Sequence, residues 1–152
     1  MNSCGACKLC CYLPELPELN KPLVMWCNHC DKDKEKGCLI YERRPESCRN
    51  FQCVWLKDKL HASLRPDICH VLFEQLPVGP TFLALIDKEH KDAWKVGMPA
   101  KLISEFLNAG FGVAISIDGG NESCILPPKG KTREEVYEDI KRSADIMNCR
   151  GE

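Results

Sequence analysis

The chain of 152 residues has no excess of charge of either sign: 21 basic side chains stand against 22 acidic ones, a net charge of −1 at pH 7 and a pI near 6.4. Bulk attraction to nucleic acid or to an anionic membrane surface is therefore not expected. The balance also holds along the chain, with 10 basic and 8 acidic groups (+2) in residues 1–60 and 11 and 14 (−3) in residues 61–152. Long hydrophobic runs are missing too. No stretch approaches the roughly 18 apolar residues a membrane span needs; the longest candidate, TFLALI, suits a strand. The opening MNSCGACKLCC has no apolar segment of the kind a secretory leader carries. These absences point to the cytoplasm and away from a membrane. No GxGxxG, no Walker phosphate loop, no HExxH, no internal repeat and no low-complexity segment occurs, so no catalytic signature is read.

What the chain has in excess is cysteine. Of its 12 cysteines, nine fall in the first 53 residues: Cys4, Cys7, Cys10, Cys11, Cys27, Cys30, Cys38, Cys48 and Cys53. The chain thus divides by chemistry near Cys53. Over these residues no apolar period of 2 or 3.6 persists, and Pro14, Pro17, Pro22 and the run DKDKEKG interrupt what there is. Such a segment is expected to bury little apolar surface and to need a staple. In a reducing compartment the staple at hand is thiolate-bound metal rather than disulfide, and its binding free energy becomes folding free energy.

The later residues carry ordinary secondary-structure signals. RPESCRNF predicts a short helix presenting Cys48, with Pro45 at its first position. CHVLFEQL and TFLALID read as an antiparallel strand pair around PVGP. A helix over AKLISEFLNAG puts Leu102, Ile103, Phe106 and Leu107 on one face, with Gly110 placed to end it. GVAISID and SCILPP follow as strands around Asp118-Gly119-Gly120-Asn121. Thr132 and Glu135 have capping-box spacing ahead of the stripe Val136, Ile140, Ala144, Met147. The expectation is an α+β fold: a metal-stapled cysteine-rich region, residues 1–60, packed against residues 61–152. The latter form a small antiparallel sheet in ββαββα order with two helices on one face, and the two regions together make one compact domain.

CxxC gaps let paired thiolates converge on one ion in a tight turn, and the adjacent Cys10 and Cys11 can serve two different ions, or one an ion and the other a packing role. Thiolate in this number suits zinc, copper(I) or an iron–sulfur cluster. Cys4, Cys7 and Cys10 match the C-x2-C-x2-C part of a ferredoxin run, but the following C-x3-C-P step is missing. His29, inside Cys27-Asn28-His29-Cys30, could replace a sulfur, whereas His61, His70 and His90 have no partner motif and are read as structural or solvated. Cys69, Cys124 and Cys149 are read as small buried hydrophobes, and Trp26, Phe51 and Trp55 as a seal around the cysteines.

CxxCxxCC at residues 4–11, then Cys27, then GCLIYERRPESCRNFQC at residues 37–53 resembles the CxxCxxCC zinc- or iron-chelating domain family, the YkgJ-type cysteine-cluster proteins. The resemblance implies Cys4, Cys7, Cys10, Cys11, Cys27, Cys38, Cys48 and Cys53 as metal ligands, either two four-thiolate sites or one iron–sulfur cluster with thiols to spare. Cys30 stands where an apolar residue is expected, so its candidacy rests on CxxC spacing alone. A similar pattern in flagellin lysine N-methylases implies the alternative of an iron–sulfur protein with a redox or protein-modifying role. A third reading is a zinc-stabilised interaction or metal-delivery module. In any of them a four-thiolate zinc site carries a formal −2 charge, which donors to sulfur must offset. Arg43, Arg44 and Arg49 are the expected cations, with Lys8 behind them, Glu42 orienting an arginine and Tyr41 packing on the cluster.

Overall fold

A computed structural model describes residues 4–120 and 122–149, with side chains up to residue 147. The expected hairpin residue Asn121 and the side chain of Cys149 lie outside the described residues. Residues 4–69 contain only short elements: 3-10 turns at Leu9–Cys11, Pro17–Leu19, Tyr41–Arg43 and Ala62–Leu64, and helices α1 (Glu46–Asn50), α2 (Val54–Lys57) and α3 (Pro66–Cys69). Pro45 is the residue before α1 rather than its first helical position. Proline recurs too often in residues 14–22 for a longer helix, and each break is closed locally. Asn20, for example, takes a left-handed conformation (φ 50°) to cap the Pro17–Leu19 turn.

Short elements do not mean an empty interior. Leu13 is fully buried, and Leu9, Tyr12, Leu16, Val54 and Trp55 are nearly so. Except for Leu16 they belong to the cluster that includes the strand residues Val71, Phe73, Ile86 and Ile115. The expectation that the cysteine-rich segment buries little apolar surface is thus corrected. Single apolar residues on tight turns reach the sheet even without a repeating stripe.

From residue 71 the elements are β1 (Val71–Gln75), β2 (Thr81–Ile86), α4 (Gly97–Asn108), β3 (Gly112–Ile117), β4 (Glu122–Leu126) and α5 (Arg133–Cys149), with 3-10 turns at Lys88–His90, Ala93–Lys95 and Asp118–Gly120. The strands form one sheet in the order β1-β2-β3-β4. β1 and β2 pair antiparallel, as do β3 and β4, but β2 and β3 run parallel, with Phe82 beside Val113 and Ala84 beside Ile115. The sheet is therefore mixed, not antiparallel. α4 returns the chain across the sheet before β3 begins, and a crossover of that kind makes parallel neighbours. The two central strands are correspondingly apolar on both faces, with Ala84, Leu85, Ile86, Val113, Ala114 and Ile115 all buried.

The two long helices take opposite faces, which corrects the expectation of one helical face. α4 ends two residues before Gly110, and its Phe106 stacks on Phe82 (centroids 3.9 Å apart) and meets the ring of Phe73 at 5.9 Å. The neighbouring Thr81 points the other way along the pleat and donates to Asp139 Oδ2 of α5 at 3.0 Å. Close approach on that side depends on Gly112, because a Cβ there would fall 2.7 Å from a methyl of Val136. α5 begins with the expected capping box: the Thr132 N–H donates to Glu135 Oε2 (2.7 Å) and the Glu135 N–H to Thr132 Oγ1 (3.2 Å). Its apolar stripe fades along the helix, from buried Val136 to exposed Met147. Two buried polar residues, Asp139 and Ser143, share the inner side, with Ser143 Oγ accepting from the Val78 N–H. No helix among the described residues is long and apolar enough to cross a membrane.

Candidate metal centre

The cysteine-rich segment is tied together through backbone hydrogen bonds made at the cysteines themselves. The Cys7 N–H donates to the Cys4 carbonyl (2.7 Å) and the Cys30 N–H to the Cys27 carbonyl (3.0 Å), so both CxxC pairs lie in tight turns. The Cys27 N–H donates to the Cys11 carbonyl (2.8 Å), which docks the second CxxC on the end of the first cluster. Cys30 and Cys38 then form an antiparallel bridge, flanked by Asp31 N–H to Gly37 O (2.7 Å) and Leu39 N–H to His29 O (2.8 Å). The charged run between them thereby becomes a closed loop. Gly37 permits this closure, since a Cβ there would lie 2.8 Å from the Asp31 carbonyl oxygen and 2.9 Å from the Lys8 chain.

Cys48 comes in on α1, which Ser47 Oγ fastens to the Pro17–Leu19 turn by donating to Glu18 Oε2 at 2.6 Å. Cys53 is the residue preceding α2, buried, with the N–H groups of Trp55 and Leu56 favouring its anionic form. The His29 N–H points at Cys27 Sγ, 3.4 Å away, which is the kind of donor a thiolate ligand uses. The His29 side chain itself is exposed.

The thiols interact with one another. Cys11 meets the thiols of Cys10 and Cys30; the Cys10 thiol and burial push its pKa well above the ordinary thiol range, while the Cys30 contact acts the other way. Burial pushes Cys30 up to about 12, with the Cys11 and Cys27 thiols adding to the rise. Cys48 is raised by burial and by Cys11, Cys27 and Cys38. A second set lies towards the sheet: burial lifts Cys7 to about 11 and also raises Cys53, while Cys53 adds to the rise at Cys7 and Cys4 to that at Cys53. Cys69 lies nearby, also at about 11 through burial, with its Sγ donating to the carbonyls of Val71 (3.3 Å) and Leu64 (3.5 Å). It is a satisfied, partly buried thiol, as is expected of a cysteine in a packing role. In each case burial or a neighbouring thiol disfavours the anion.

One cation is built in, and its motif does not announce it. Lys21 is 5% exposed, and its Nζ donates to the carbonyls of Tyr12 (3.0 Å), Pro22 (3.2 Å) and Pro14. Burial lowers its pKa, while Cys27, Cys11, Cys10 and Cys48 act to raise it. A lone lysine in LPELPELNKPL gives no sequence signal of this role, because it depends on three carbonyls converging from a folded turn. Among the arginines, Arg44 places its charge by Cys4, opposing the rise there caused by burial, and Arg65 interacts with Cys7. Arg44 Nε donates to the Tyr41 carbonyl (2.8 Å) and its guanidinium lies 3.6 Å from that ring's centroid. Arg43, Arg49 and Glu42 are exposed. Lys8 reaches across to the Lys32 carbonyl at 2.6 Å and its charge favours an anionic Cys30.

Trp26 stacks on Tyr12 with centroids 4.9 Å apart, Trp55 is buried with its Nε1–H on the His61 carbonyl (3.1 Å), and Phe51 packs against the core. No family model matches the chain, and no curated protein or solved structure matches it.

The donor set fits a soft metal in chemistry and in grouping. In spacing it is not drawn to a point. Four sulfurs around zinc, with bonds of about 2.3 Å, lie roughly 3.8 Å apart. Among the described residues, no three cysteine sulfurs lie within 4.8 Å of one another, a spacing that His70, Asp87 and His90 do reach. A four-sulfur site would need these sulfurs drawn closer together than they stand.

Proposed function

We propose that residues 4–53 are a metal-binding centre that chelates zinc or iron through Cys4, Cys7, Cys10, Cys11, Cys27, Cys38, Cys48 and Cys53, with Cys30 as a further candidate. The observation that carries this reading is the convergence of thiols from separate turns through contacts made at the cysteines: Cys27 N–H on Cys11 O, the Cys30–Cys38 bridge, and the Cys11 thiol against those of Cys10 and Cys30. The resemblance of residues 4–53 to the YkgJ-type cysteine-cluster pattern supports it, and a reducing compartment such as the cytoplasm would keep the thiols available. Bound metal would supply the positive charge these sulfurs lack. The chain's own part is to hold the CxxC pairs in tight turns, to aim the His29 N–H at Cys27, and to place the Lys21 and Arg44 charges beside the sulfurs.

The test is elemental analysis with an absorption spectrum on protein purified anaerobically without added metal. The expected outcome is at least about one equivalent of zinc plus iron per chain, and less than that overturns the proposal. A colourless zinc protein places the centre among structural or delivery sites. A brown protein with acid-labile sulfide makes it an iron–sulfur protein, for which a redox or protein-modifying role is the reading to pursue.

A further inference from the structure

His70, Asp87 and His90 were unremarkable in the sequence, and the fold brings them together. His70 ends α3 and Asp87 follows β2; the antiparallel pairing of β1 with β2 sets them opposite each other, with the Asp87 N–H on the His70 carbonyl at 3.0 Å. His90 sits one 3-10 turn further on. We propose that these three side chains form a second metal site, built of imidazole and carboxylate rather than thiolate, for a divalent transition ion such as Zn2+, Co2+ or Ni2+. The site is independent of the cysteine centre.

The carboxylate is already divided between two tasks. Asp87 Oδ1 accepts from the Glu89 N–H (3.1 Å), capping the turn, and this leaves Oδ2 towards the two rings. Oδ2 lies 3.4 Å from His70 Nδ1 and 3.2 Å from His90 Nδ1. Ligands at about 2.0–2.1 Å from a tetrahedral ion are separated by roughly 3.3–3.4 Å, so both distances match edges of such a site. All three ligand atoms fall within 4.8 Å of one another. The neighbouring cation is otherwise engaged, since Lys91 Nζ lies 3.0 Å from Glu122 and 3.9 Å from Asp118.

His70 occupies a left-handed conformation (φ 60°), which a residue with a Cβ adopts at a cost, and its N–H is held by the Pro66 carbonyl (2.8 Å). The two imidazoles stack face to face, with centroids 3.5 Å apart and planes 6° apart. Parallel rings cannot both aim an in-plane lone pair at one ion between them, so binding turns one ring. His90, with its side chain 46% exposed on a short turn, is the ring free to turn, against 32% for His70. Both rings border a cavity of about 630 Å³ whose other walls include Ile68, Val96, Met98 and Pro99. Three protein ligands beside an open cavity is the arrangement that leaves a coordination position for water or an exogenous oxygen ligand. Imidazole with carboxylate also selects less soft ions than the thiol cluster does.

The experiment titrates Zn2+ into the full chain as purified, with its cysteine-bound metal in place, and follows the ring nitrogens of all four histidines by 15N NMR. One further equivalent should bind, shifting His70 and His90 and leaving His29 and His61 unmoved. In Asp87→Asn, which keeps an oxygen for the turn cap, and in His90→Ala, affinity for that equivalent should fall at least about 10-fold. The metal present at purification should not change in either variant. Equal stoichiometry and affinity in both variants, or unmoved His70 and His90 signals in the wild type, would overturn the site. Failure of the cysteine centre is read separately, in the metal content at purification.

Discussion

Residues 4–69 and residues 71–149 share one hydrophobic cluster but are held together in different ways. The second region has a hydrogen-bonded ladder of four strands, rings stacked across α4 and β2, and a buried Thr81–Asp139 contact under α5. The first has isolated turns, a two-residue bridge, a lysine clamped on carbonyls, and thiols that raise each other's pKa. The sheet region is held by backbone pairing and apolar contacts. The cysteine-rich region contains thiols that burial and neighbouring thiols disfavour as anions.

Metal removal is where the two regions should part most widely. Thiolate-bound structural zinc contributes an apparent 10–16 kcal/mol, so on the order of 10 kcal/mol is at stake. Anaerobic chelation should expose the amides of residues 4–60 to hydrogen exchange while β2 and β3 stay protected. Cys48→Ser should lose metal and stability where Cys124→Ser, in β4, loses little. Uniform exchange across both regions, or equal melting temperatures and metal content for the two variants, would count against the distinction.

A smaller effect probes what the regions share. Leu13 is fully buried in the common core, so Leu13→Ala should cost about 2–5 kcal/mol in denaturant unfolding. Because the core is joint, the loss should appear in sheet-specific probes as well as in the turns; a sheet transition that does not move would mean the cores are separate. Smaller again is Lys21→Met, which keeps much of the bulk and removes the charge facing Cys10, Cys11, Cys27 and Cys48. Retention of metal against a chelator should weaken by about 10-fold, and Lys21→Arg should recover part of it.

A last effect, confined to pH dependence, belongs to the sheet alone. Burial raises the Glu74 carboxyl from the ordinary value of 4.5 to about 7. Between those values the unfolded chain ionises while the folded one holds its proton, so the group's contribution is full below about 4.5 and is lost as pH rises to about 7. Glu74→Gln should flatten that slope and leave the protein more stable than wild type above pH 7, as measured by urea midpoints at pH 5 and pH 8. Parallel pH profiles for the two proteins would remove Glu74 as the cause.

Much of the later chain was legible because its signals are local. The strands TFLALI and GVAISI, the apolar face of α4 and the Thr132–Glu135 box all work within a few residues of themselves. The direction of β3 against β2 was not local. Both pairings suit the same apolar strand, and the path of α4 selects the parallel one. α5 misled for a related reason: Asp139 and Ser143 look like surface residues until Thr81 and the Val78 N–H are seen to face them.

For the candidate site, the sequence by itself determined the donor type: nine thiols in 53 residues with CxxC spacing, donors of the kind that suit a soft cation. Only the tertiary structure decided which groups stand near which. It bridged Cys30 to Cys38, buried Lys21 among carbonyls and left Arg43 and Arg49 in solvent. It also joined His70 and His90 to Asp87. The physical reason is range: ligand type and turn preference are properties of a few adjacent residues, whereas charge and coordination act through space between residues that only the folded path of the chain makes neighbours.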